Sequence, residues 1–176
     1  VVGDAEYVLA DVAASPDPVV AKGLRQKVVE LLDSSQFGVL DGADGLILMR
    51  RGLSGRSTLP ERFYDFLKAR AGEEGFISRT RFGDEVELVA YDYETSEGEL
   101  VGLTTYWRAL RPLDGDYKTV FFLTPSVGGE PAPYEDSSLA ALWYPPARWQ
   151  SGEVIKLEFA PALVSRDTGS VQMVVY

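Results

Sequence analysis

From Phe76 onward the chain alternates apolar and polar positions with a period of two, and turn-forming clusters interrupt the alternation at short intervals. Val86, Leu88 and Ala90 alternate with Glu85, Glu87 and Val89. Leu103, Thr105, Trp107 and Ala109 alternate with Thr104, Tyr106, Arg108 and Leu110, and Ile155, Leu157 and Phe159 with Lys156 and Glu158. Val120 to Leu123 is apolar on both faces, as in a central strand, and Val171, Met173 and Val175 close the chain. Successive side chains of a strand point to opposite faces, so this is the signature of half-buried strands rather than helices. Ser96-Glu97-Gly98, Pro112 to Gly115, Gly128-Gly129, Pro145-Pro146 and Asp167-Thr168-Gly169 supply the breaks. Seven or eight short strands punctuated in this way predict an antiparallel β-sandwich of the jelly-roll or immunoglobulin-like kind over residues 76–176.

The first third follows a different plan. Tyr7 to Val12 has the character of a short buried strand. Asp17 is placed to cap a helix that Pro18 opens, and Val20, Leu24, Val28, Leu31 and Leu32 recur at helical spacing up to Ser34 or Ser35. Phe37 to Leu40 and Leu46 to Met49 flank Asp41-Gly42-Ala43-Asp44-Gly45, the composition of a hairpin turn. Residues 1–56 therefore form a β-α-β-β element, too small to cover its sheet alone. Leu59 to Ala71, with Phe63, Phe66 and Leu67 on one face, predicts a helix within a linker over residues 57–75. The fold class is α+β, with the sandwich after the linker.

Charge and missing residue types narrow the chemistry. Against 17 Lys+Arg stand 27 Asp+Glu, a formal charge of −10, which opposes binding to nucleic acid or an anionic membrane. Arg50, Arg51 and Arg56, and Arg79 with Arg81, are read as solvated surface. There is no Cys and no His, so thiol nucleophiles, imidazole proton shuttles, Ser-His-Asp triads and His- or Cys-ligated metals are excluded. Asp41, Asp44, Asp114 and Asp116 lie in turns without the ligand spacing of a calcium loop. No metal and no cofactor is expected. The chain has no initiator Met and is read as a piece of a longer polypeptide or a mature product.

Candidate binding residues come from one aromatic segment. Leu142 to Glu153 places Trp143, Tyr144, Pro145, Pro146, Arg148 and Trp149 in a strand-breaking stretch. Such a segment either plugs the end of a core or presents rings to a ligand. Trp107 and Trp149 are assigned to packing. Trp143 and Tyr144 are the better stacking candidates, and Arg148, Asp92 and Glu94 are the groups that would satisfy sugar hydroxyls. Tyr91-Asp92-Tyr93-Glu94 places two rings on one strand face and two carboxylates on the other, and is also the composition of a charge-protected edge strand. The carboxylate pairs Glu85/Glu87 and Glu97/Glu99 are sequence neighbours, not the two sides of a cleft that a glycosidase needs, so a hydrolase is the least favoured reading.

Leu103-Thr-Thr-Tyr-Trp-Arg-Ala-Leu-Arg-Pro112, Tyr117-Lys-Thr-Val-Phe-Phe-Leu-Thr-Pro125, Trp143-Tyr-Pro-Pro146 and Arg148-Trp-Gln-Ser-Gly-Glu-Val154 also carry a family resemblance. Together with the segment from Tyr7 to Arg51, they resemble the soluble tail of a predicted multi-pass membrane protein family of bacteria and archaea. That family is related to the protein mannosyltransferase type of glycosyltransferase. The resemblance implies an extracytoplasmic domain attached to transmembrane helices in its parent. Catalysis in the related transferases is associated with an acidic residue in a loop among those helices, and no such segment is present here, so no catalytic residue carries over. The expected function is that of a non-catalytic accessory domain which binds a glycan, a lipid-linked sugar or a partner. The alternative is a structural module that packs against its own transmembrane region.

Overall fold

The computed structural model describes residues 4–13, 18–53, 55–70, 75–96, 99–115, 117–125, 130–138, 144–159 and 168–176. The chain divides into two compact units, Val1–Leu67 and Lys68–Tyr176. Every paired strand is antiparallel to its neighbour, and the whole is a β-rich α+β fold. Among the described residues, no helix is long and apolar enough to cross a membrane.

The first unit contains β1 (Tyr7–Asp11), α1 (Pro18–Asp33), β2 (Phe37–Ala43), β3 (Leu46–Arg51) and a 3-10 helix (Glu61–Leu67). Its sheet has the order β1-β3-β2. β3 is antiparallel to both neighbours, so β1 and β2 run parallel and α1 joins them across the inserted strand. Pro18 opens α1, where its missing N–H costs no helical bond. Val28 is buried on the apolar stripe, with Leu24, Leu31 and Leu32 half-buried beside it. Ser35 ends the helix in the left-handed region at φ 57°, and the Ser34 hydroxyl donates to the carbonyl of Leu31 at 2.7 Å.

The β2–β3 turn is the Asp44-Gly45 pair, with φ of 48° and 80°. Two successive positive φ angles are what a type I′ hairpin turn demands, and Asp-Gly is among the pairs that supply them most easily. Ala13 packs against Gly45 so closely that a Cβ at position 45 would collide with the Ala13 methyl. The outer edge of β2 is covered by the strap that follows β3. Val39 N–H donates to the carbonyl of Arg56 at 2.6 Å, and Gly38 lies directly under the carbonyl of Leu53.

The segment predicted as a helix over 59–71 is shorter and tighter than expected. It is a 3-10 helix over Glu61–Leu67 with Phe63, Tyr64 and Leu67 buried. The carbonyls of Arg62 and Phe63 accept the N–H groups of Asp44 and Gly45 at 2.8 and 2.9 Å. They are thus committed to the hairpin turn, and a tight 3-10 run is the usual form of so short a helical piece. Arg62 also donates to the carbonyl of Gly42 and forms an ion pair with Asp41.

Among its described residues the second unit contains seven strands: β4 (Phe76–Phe82), β5 (Val86–Ser96), β6 (Glu99–Ala109), β7 (Lys118–Pro125), β8 (Ala132–Ser138), β9 (Val154–Phe159) and β10 (Thr168–Val175). They form a four-stranded sheet of order β4-β5-β6-β9 and a three-stranded sheet of order β10-β7-β8. Directly opposed residues share a face. The rows Val86/Ala109, Leu88/Trp107/Ile155 and Tyr91/Thr105/Leu157 therefore define the apolar face of the larger sheet. Trp107 is fully buried there, as expected, with Phe82 against its ring. Its indole N–H donates to the Thr105 hydroxyl at 2.7 Å.

β5 lies between β4 and β6, but its pairing with β4 ends at Phe76/Tyr91, so among the described residues Tyr91 is interior while Asp92 to Ser96 pair with β6 alone. β4 is the edge. Its pairing with β5 shifts between Ile77 and Thr80, and Arg79 there has φ 54°. The irregularity breaks the alternation that marks the other strands, which is why β4 carries no clean sequence signature.

Candidate functional site

The aromatic segment before β9 forms a closed corner. Pro145 is extended and Pro146 opens a single 3-10 turn over Pro146–Arg148. Gly152, at φ 86°, then occupies the third position of a turn from Gln150 to Glu153, where a type II turn requires positive φ. Tyr144 is only 1% exposed. Its phenol donates to Glu153 Oε2 at 2.8 Å, and the Arg148 guanidinium lies 5.4 Å from its ring centroid. Trp149 is buried, and its indole N–H donates to the carbonyl of Tyr144 at 2.9 Å. Glu153 also accepts the N–H of Gln150 at 3.2 Å and pairs with Lys68 at 3.3 Å. Lys68 in turn bridges to Ile155, and Ala69 N–H donates to the carbonyl of Val154. The corner thus ties the start of the second unit to β9.

Tyr144 and Arg148 are brought together, but as packing partners. A ring this buried, with a guanidinium on it from the same chain, has no open face for a sugar. Trp143 lies outside the described residues. Asp92 and Glu94 are exposed on β5 and stand apart from the corner. Asp92 is opposite Thr104, which is opposite Glu158, whereas Val154 beside Glu153 is opposite Arg108. Those rows are four strand positions apart, about 13 Å at the usual rise per residue.

The exposed aromatic surface lies elsewhere, next to Asp92 and Glu94. Phe76, Tyr91 and Tyr93 are 54%, 37% and 47% exposed. Phe76 is directly opposite Tyr91 in the β4–β5 register, with ring centroids 5.7 Å apart. The Phe76 and Tyr93 rings are 5.6 Å apart with planes within 18°. The three rings continue the apolar face that Trp107 and Leu157 occupy further along the sheet. Gly75 sets the approach of β4, because a Cβ there would collide with the carbonyl of Tyr91 and the side chain of Asp92. The β5–β6 register is continuous from Ala90 to Glu94, so the pleat turns Asp92 and Glu94 to the opposite face from the rings. Asp92 Oδ1 accepts the N–H of Tyr93 at 2.8 Å.

Sequence reasoning found Tyr91 and Tyr93 on one face but missed Phe76, because the third ring comes from the irregular edge strand. The signal was the glycine before Phe76, which permits close approach of one backbone to another.

The carboxylates of Glu85 and Glu87 are tied to cations. Glu85 forms an ion pair with Arg111 and accepts the Tyr117 hydroxyl at 2.8 Å. Glu87 pairs with Arg108 at 3.4 Å and with Arg81 at 3.8 Å. Burial, and then the hydrogen bond to Glu85, push the Tyr117 phenol above its ordinary value. The Arg62 guanidinium, and then the N–H of Gly42, hold the Asp41 carboxyl below its ordinary value. Among the described residues no three acidic side chains converge as metal ligands. No protein-family model, curated protein or solved structure matches this chain.

Proposed function

We propose that the second unit is a non-catalytic saccharide-binding domain whose platform is the Phe76–Tyr91–Tyr93 strip. The observation that carries this reading is the exposure of three contacting rings at one end of a sheet face. Flat apolar ring faces are what the C–H faces of a pyranose stack on, and tyrosine adds a hydroxyl to the same surface. In its parent the domain is extracytoplasmic, an accessory to a membrane protein of the glycosyltransferase-like type, and its two sheets close as a sandwich. The sequence motifs between Leu103 and Val154 support that setting. The absence of His and Cys and the arginine partners of Glu85 and Glu87 support a binding role over a catalytic one.

A second reading has its own observation. The strip is continuous with the buried apolar face, through Tyr91, Thr105 and Leu157. A structural module would use such a continuation to pack on the transmembrane part of its own polypeptide.

Titration with a panel of neutral oligosaccharides, followed by intrinsic fluorescence, separates the two. Saccharide binding gives a saturable change that Tyr93→Ala removes while thermal stability is kept. A flat response up to millimolar sugar in the folded protein eliminates the platform and leaves the packing module.

A further inference from the structure

Resting on the platform reading, we propose that the strip selects saccharides that carry protonated amino groups. The sheet end that bears the rings is acidic on its reverse side. The row Asp92–Thr104–Glu158 is followed by the row Glu94–Gly102, so the carboxylates of Asp92 and Glu94 sit directly behind Tyr91 and Tyr93. Both are exposed, and among the described residues no cation pairs with either.

The neighbouring elements do little to offset this charge. On β9, Lys156 is paired with Glu158 at 3.3 Å. On β4, Arg81 is turned to Glu87, and Arg79 sits within the strand irregularity between Ile77 and Thr80. On β6, the residues opposite the acidic pair are Gly102, Leu103 and Thr104, which carry no charge. The net charge of −10 adds a background of the same sign.

An ammonium over a phenyl or phenol ring is attracted by the negative π face. Here it would also feel two carboxylates across the thickness of a strand. A neutral sugar stacks without that attraction, and an acidic sugar is repelled by it.

The test uses the whole chain and three oligosaccharides of equal length: glucosamine with its amines protonated, N-acetylglucosamine and galacturonate. At low salt the glucosamine oligomer is expected to bind about fivefold more tightly than the N-acetylated one, with the galacturonate oligomer weakest. The gap narrows as added salt shortens the screening length. In Asp92→Asn/Glu94→Gln the ratio of the first two affinities falls toward one, and Phe76→Ala weakens both.

Equal or weaker binding of the glucosamine oligomer overturns this inference while the platform stands. Glucosamine binding that survives Phe76→Ala overturns it as well, since it is then adsorption to an acidic surface. If none of the three binds, the platform itself is removed.

Discussion

The phenol of Tyr144 and the backbone N–H of Gln150 converge on one oxygen, Oε2 of Glu153, while the other oxygen takes Lys68. One half-buried carboxylate therefore fixes a tyrosine, closes the turn behind it and holds the residue that begins the second unit. Tyr144→Phe keeps the ring and removes one of these bonds. It is expected to cost about 1–2 kcal/mol in urea unfolding, since the acceptor is charged but reachable by water. Unchanged stability would mean that the bond is not a structural tie.

Gly38 and Gly23 form a matched pair of tests. A Cβ on Gly38 falls on the carbonyl of Leu53, in the strap that covers β2, whereas Gly23 on α1 has nothing within 4 Å. Gly38→Ala is expected to lose about 1–3 kcal/mol through overpacking against backbone. Gly23→Ala is expected to gain about 0.5–1 kcal/mol from helix propensity and reduced freedom of the unfolded chain. Guanidinium unfolding of the two variants checks the sign of each, and equal effects would contradict the strap geometry.

The Thr105 hydroxyl is the acceptor for the buried indole N–H of Trp107. Thr105→Val retains shape and removes the acceptor, leaving a donor without a partner in the core. The expected loss is about 1–3 kcal/mol, larger than that of Thr105→Ser, which keeps the oxygen. If valine and serine behave alike in thermal unfolding, the hydroxyl has no part in holding the indole.

The two shifted groups lie in different units, Asp41 in the first and Tyr117 in the second. The unfolded chain binds a proton at Asp41 more tightly than the folded chain does, because Arg62 favours the carboxylate. The contribution of this pair is complete above the ordinary value of 3.8 and is lost as pH falls through the depressed folded value. Asp41→Asn is expected to flatten that acid limb of stability against pH. An acid limb of unchanged steepness would show that Asp41 has no such share.

At Tyr117 the sign is reversed. Burial and Glu85 favour the protonated phenol, so its contribution is complete below the ordinary value of 10.0 and is lost at higher pH. Ultraviolet titration is expected to show late-ionising tyrosine absorbance that Tyr117→Phe lowers by one residue. Undiminished late absorbance in that variant would assign the late step to other residues.

The sequence revealed those parts of the fold in which local chemistry and tertiary packing agree. Asp44-Gly45 is a turn by its own preference, Val28 and its neighbours form a helical stripe, and Trp107 alternates in step with its strand. Where one backbone answers to another, the signal is lost. β4 was not separable from its surroundings because Arg79 departs from strand geometry, and the helix over 59–71 was cut short where the hairpin turn takes the carbonyls of Arg62 and Phe63. Tyr144 reads as a stacking candidate beside its packing alternative because nothing in its own segment betrays that Glu153, nine residues on, is its acceptor. Phe76 joins Tyr93 only through pairing of two strands, a relationship no periodicity contains.

The placement of β3 between β1 and β2 has a consequence for biosynthesis. β2 and β3 are near neighbours in the chain and zip together locally, but Tyr7 meets Arg50 only after roughly forty further residues have been translated. Within this sheet β1 is thus made before its partner, and for that interval Leu9 and Ala10 have no strand to pair with. Closure of this sheet therefore waits until translation passes Arg51.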